Sequence, residues 1–129
     1  MTPQNDVSNS SDIRILPLAQ AEVMPQEWGA LTWYANRALG NSTEVTVGKC
    51  LLHPGQSNPR HYHPNCSEIL VVFQGRVRHT NSEGQTTEMG EGDTVAIAPN
   101  VWHQATNIGT NDALLMIVFT SADRQTVGE

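Results

Sequence analysis

The sequence predicts an all-β fold, a sandwich or barrel with little helix. Three observations predict it. Residues 43–52 alternate with period two, setting Val45, Val47 and Lys49 against Thr46, Gly48 and Cys50. Two short runs, EILVVF at 68–73 and LLMIVF at 114–119, are apolar on both faces. Turn signals recur at short spacing: Pro54-Gly55, Gly75, Gly84, Gly90 and Gly92, Pro99-Asn100, and Gly109.

Each element follows in order. Residues 1–12 are polar, Ser/Asn-rich and aperiodic, which reads as a disordered N-terminal tail. Residues 19–28 offer at most one helical turn, interrupted by Pro25. Leu31–Asn36 is a short strand centred on Trp33 and Tyr34, and Thr43–Leu52 is the alternating strand. Glu68–Phe73 fits a strand buried on both sides. Arg76–Thr80 and Gln85–Met89 flank the turn-rich NSEG and form a hairpin. Thr94–Ala98, His103–Asn107 and Ala113–Phe119 complete the strands. Residues 123–129 read as a flexible C-terminal tail. No repeat or linker divides residues 13–122, so they read as one domain.

Composition narrows the function. Seven Lys and Arg against thirteen Asp and Glu give a net charge of −6 over 129 residues. That argues against a broad basic surface for nucleic acid and against docking on an anionic membrane. No run is apolar and long enough to span a bilayer, and the polar start is no signal peptide, so a cytoplasmic location is expected. Cys50 and Cys66 are too few to staple a fold and are expected as thiols.

The chemistry concentrates in two stretches. Within GQSNPRHYHPNCSEILVVFQG (55–75), His61 and His63 lie two apart on an extended segment, so they share a face. Pro64 disfavours helix for His63 and begins a bend that restores the parity of Glu68, five residues on. Glu68, Leu70 and Val72 then face the interior. Within GDTVAIAPNVWHQATN (92–107), His103 adds a third imidazole. Imidazole and carboxylate are metal-ligand types, and these four residues make a metal site the leading hypothesis.

The first stretch reads G-x5-H-x-H-x4-E-x6-G and resembles the first motif of the cupin superfamily, with Gly55, His61, His63, Glu68 and Gly75 at its fixed positions. The second resembles the second cupin motif, G-x5-P-x-G-x2-H-x3-N, through Gly92, His103 and Asn107. Ala98 and Asn100 stand where the motif has Pro and Gly, and Asn is the residue that best tolerates φ > 0 in glycine's place. The spacing between motifs is short, as in small bacterial single-domain cupins. The resemblance implies a double-stranded β-helix or jelly-roll barrel, often a homodimer. It also implies one divalent metal held by His61, His63, Glu68 and His103.

Three neutral imidazoles and a carboxylate around a divalent ion carry about +1, which favours an anionic oxygen donor. An octahedral ion would keep two adjacent positions for substrate or O₂. The donor set suits Mn, Fe, Ni, Co, Cu or Zn, with Mn or Fe favoured. Two chemistries fit: oxygenase chemistry first, and carbonyl isomerase, epimerase or lyase chemistry second. A non-catalytic metal-dependent binder or sensor of a small molecule is the alternative, and a barrel stabilised by its metal is a third reading. Glu68 is also a candidate acid/base, while His53, Leu70 and Val72 are candidate pocket residues. His79 is expected at the surface. Trp28 and Trp33 are expected to pack in the core or a dimer interface, and Tyr62 and Trp102 to point away from the metal. Arg60, Arg76 and Arg78 are read as solvated, Asn107 as a structural hydrogen-bonding residue, and Gly75, Gly90 and Gly92 as turn residues at φ > 0.

Overall fold

A computed structural model describes residues 12–129. The expected tail at 1–12 therefore lies outside the described residues, apart from Asp12. Among the described residues, eleven strands follow a 3₁₀ turn at Leu18–Gln20. They are β1 (Glu22–Gln26), β2 (Gly29–Ala35), β3 (Thr46–Leu52), β4 (His61–Tyr62), β5 (Glu68–Gln74) and β6 (Val77–Thr80). Then come β7 (Thr86–Met89), β8 (Thr94–Ile97), β9 (Gln104–Asn107), β10 (Ala113–Phe119) and β11 (Val127–Gly128). Among the described residues no helix is long and apolar enough to cross a membrane.

One layer is a six-stranded antiparallel sheet in the order β1-β2-β3-β10-β5-β8. The other joins β7-β6-β9 to the β11-β4 pair. Two isolated bridges make that join, Ser57 to Thr106 and His61 to His103. Leu52, Val72, Leu115 and Phe119 of the large sheet meet Val77, Met89 and Ala105 of the small one in a shared core. Side chains on a strand alternate between faces, so β3 and β10 bury every second residue in this core.

Four expectations need correction. β5 is buried on one face alone: Glu68, Leu70 and Val72 turn inward, while Ile69 and Phe73 are exposed at 38% and 63%. Strand β1, absent from the sequence reading, takes the residues offered as a helical turn. Pro25 lies on this sheet edge, where a missing N–H costs no central ladder bond. Residues 123–129 do not trail off the barrel: Val127 and Gly128 pair with Tyr62 and His61. Gly75 and Gly92 sit at positive φ as read, but Gly90 does not. Asn100, in the motif's glycine position, adopts φ 68°.

Candidate metal centre

β4 presents His61 and, just beyond it, His63. The chain then bends through residues 64–67. Asn65 fixes the bend by donating from Nδ2 to the Asp123 carbonyl at 2.9 Å and accepting the Gln125 N–H at Oδ1 at 3.0 Å. This returns the chain to an interior-facing Glu68 at the head of β5, where it pairs with Ile97 and Phe119. His103 lies opposite His61, held by reciprocal backbone bonds of 3.1 and 2.8 Å.

The ligand atoms of His61, His63, Glu68 and His103 all lie within 4.8 Å of one another. The Glu68 Oε1 atom is 3.0 Å from His103 Nε2 and 3.2 Å from His63 Nε2. His63, Glu68 and His103 are buried, and His61 is half-buried. All three imidazoles are oriented from behind. His61 Nδ1 meets the Pro59 carbonyl at 2.7 Å, His63 Nδ1 the Gln125 carbonyl at 2.9 Å, and His103 Nδ1 the Val101 carbonyl at 2.9 Å. A carbonyl only accepts, so each Nδ1 carries its proton and each Nε2 lone pair faces the cluster.

Three lone pairs and a carboxylate are all acceptors, and the natural complement of such a set is a cation. The His63 Nε2 atom is buried without a hydrogen-bond partner, as a ligand atom awaiting a metal would be. The electrostatics agree. Burial raises the Glu68 carboxyl, but the close approach of His103 and His63 to its Oε1 outweighs burial and holds Glu68 at about 2. Burial and the neighbouring His103 lower His61 to about 4. Burial opposes charging His103, yet the Glu68 hydrogen bond prevails and raises it. These residues fit a divalent ion.

A cavity of about 420 Å³ opens on His61 and is walled by Trp28, Leu31, Trp33, Leu70 and Phe119. Of the expected pocket residues, Leu70 lines it. Val72 is wholly buried in the core, and His53 is exposed and paired with Asp112 at 3.1 Å, away from the cavity. Tyr62 and Trp102 pack on each other at 4.7 Å with the Arg60 guanidinium 4.8 Å from the Trp102 ring, none of them in the ligand cluster. Asn107 donates from Nδ2 to the carbonyls of Leu52 and Asn111, both at 2.8 Å. Cys50 and Cys66 are buried free thiols, both raised chiefly by burial.

Two residues of the site escaped the sequence reading. His79 is not at the surface. It is buried, stacks on His103 at 5.8 Å and 17°, and leaves Nε2 unpartnered. With His103 it lines a second cavity, of about 560 Å³. The signal was there: Val77 and His79 are two apart on β6 and share its buried face. The second is Arg124, in the segment read as a tail, whose guanidinium lies 4.3 Å from the Trp33 ring centre.

A family model described as a cupin domain matches residues 48–119. A germin-like protein of Oryza sativa subsp. japonica (3-8) is 33% identical over 85 residues, covering 63% of this chain and 38% of its own. The chain thus spans about two fifths of such a relative. A polyketide synthase protein, CurC, of Streptomyces cyaneus is 22% identical over 103 residues, covering 80% of this chain and 66% of its own. A Bacillus subtilis oxalate decarboxylase structure superposes with a TM-score of 0.81 at 20% identity, over 99% of this chain and 36% of that one. A double-stranded β-helix protein from Klebsiella pneumoniae superposes at 0.73 and 21% identity, over 90% and 97%. At these identities the superpositions show the fold alone.

Proposed function

The chain belongs to the cupin family, and from that premise we propose that it is a metal-dependent enzyme acting on a small anionic or chelating oxygen-containing substrate. Oxygenase chemistry comes first, with Mn or Fe as the metal; carbonyl isomerase, epimerase or lyase chemistry comes second. One observation carries the reading: four donor atoms converge within 4.8 Å while all three imidazoles are tied from behind to backbone carbonyls.

A divalent ion supplies Lewis-acid polarisation of a carbonyl or, where redox-active, electrons for oxygen chemistry. The chain's own residues do the rest. The Nδ1–carbonyl bonds fix tautomer and ring direction, so the donors are set before any ligand arrives. Glu68 supplies the single negative charge, leaving about +1 with a divalent ion, in a barrel where charge counts for more than in water. Aromatic and leucine side chains make up much of the cavity wall beside His61. Held at about 2, the Glu68 carboxyl is a poor proton carrier near neutrality, so its role is ligand. The second reading is a non-catalytic metal-dependent binder. A tight ligand that co-purifies chemically unchanged would select that reading.

Elemental analysis of protein purified without added metal tests the proposal, beside His61→Ala and His103→Ala. Near-stoichiometric Fe or Mn, lost in both variants, is the expected result. Oxygen consumption with catechols, β-diketones and 2-oxo acids then follows. Zn or Ni lost in the same variants would move the assignment to non-redox carbonyl chemistry. No metal and no uptake on later addition would overturn it.

A further inference from the structure

We propose that Arg124 is the carboxylate anchor of the substrate cavity, and that the substrate is a carboxylic acid with an apolar, aromatic-sized body and a second oxygen donor for the metal. This inference rests on the metal-dependent reading above and names its substrate class.

Arg124 lines the 420 Å³ cavity that opens on His61. Its guanidinium lies over Trp33 at 4.3 Å and Phe119 at 5.3 Å from the ring centres, and donates to Thr126 Oγ1. A guanidinium has five N–H donors in a rigid fork that matches a carboxylate edge. Among the described residues no carboxylate oxygen comes within ion-pair distance of it. The acid that lines this cavity, Glu129, is already paired with Arg60. A half-buried cation without a counter-ion is costly, and an anion entering from solution completes it. A divalent ion held by the cluster would add a second positive centre on the His61 side of the cavity.

Both centres face the Phe119 ring, the Arg124 guanidinium at 5.3 Å and the His63 ring at 4.8 Å from its centre. Gln125, next to Arg124, gives its carbonyl to His63 at 2.9 Å. The lining includes Trp28, Leu31, Trp33 and Leu70, which offer burial to a hydrocarbon body, beside the polar Gln26, Asn58 and Thr126. A bare diacid would leave this wall wet, whereas an arylalkyl 2-oxo acid fills it. Its carboxylate would meet the guanidinium, leaving the adjacent oxo group as the donor to the metal.

The test is calorimetric titration of the full chain loaded with zinc, using phenylpyruvate and its neutral methyl ester. The wild type is expected to favour the acid by at least about tenfold. Arg124→Met is expected to lose that preference while zinc stoichiometry and Tm hold. Arg124→Gln, which keeps a donor for Thr126, is a second variant with the same expectation should the methionine variant melt early. A variant that still prefers the acid as the wild type does, or a wild type that binds acid and ester equally or neither, would overturn the inference while zinc uptake keeps the metal site. A wild type that takes up no zinc would overturn the metal reading, and this inference with it.

Discussion

Cys50 shows how strongly one position depends on its surroundings. Burial first, and then the charge of Glu68, pushes its thiol from 9.0 up to about 12. The folded value exceeds the unfolded one, so the folded state favours the protonated thiol. That contribution is fully present below pH 9 and is lost as pH rises from 9 towards 12. Urea midpoints of the wild type should therefore fall more steeply above pH 9 than those of Cys50→Ala. Parallel profiles would show that this thiol does not couple to folding. At this scale the four clustered residues were legible because spacing along an extended chain encodes direction: His61 and His63 by their even interval, Glu68 by the Pro64 bend, His103 by its motif. His79 was not, because its polar neighbours Arg78 and Thr80 disguised the buried face it shares with Val77. Arg124 had no pattern around it at all, since its position comes from the return of the chain onto β4.

Among the elements, β2 and β3 depend on a glycine. A Cβ at Gly48 would come within 2.4 Å of the Trp33 ring, so the absence of a side chain on β3 makes the room for this indole. Trp33 is also the ring on which Arg124 rests. Gly48→Ala should force the indole aside and cost about 1–3 kcal/mol. Thermal unfolding and tryptophan fluorescence would check it, and an unchanged melt with unchanged emission would refute the packing argument. Long strands with one buried face, such as β3 and β10, were legible from alternation or from apolar runs. β1 was not, because it is exposed throughout and carries Pro25, so it has no inward stripe to read. β4 and β11 are two residues each, too short for any periodicity to appear. EILVVF misled in the other direction, since an apolar run does not reveal that Ile69 and Phe73 look outward.

For the whole molecule, the site joins parts of the chain that the core alone does not lock together. Its ligands come from β4, the head of β5 and the entry to β9, so they span both layers. A cation that binds the folded chain and not the unfolded one stabilises it by about 2.7 kcal/mol at a hundredfold excess over Kd. For a domain of this size that raises Tm by roughly 10 °C. Chelator should remove the increment while leaving a cooperative transition, because Leu52, Val72, Leu115 and Phe119 pack without help from the metal. An apo protein that melts without cooperativity would show that the barrel needs its ion to fold. The two-layer plan was readable from strand count and turns, whereas the closing of residues 123–129 against β4 was not. That closure has a kinetic meaning. His63 and the Gln125 carbonyl that aims it are 62 positions apart in the chain. A contact of such separation forms only once the intervening strands have assembled, so the third imidazole is aimed late. The cage is thus finished by the barrel, and an ion meeting the half-folded chain finds loose histidines with nothing yet to hold them in line.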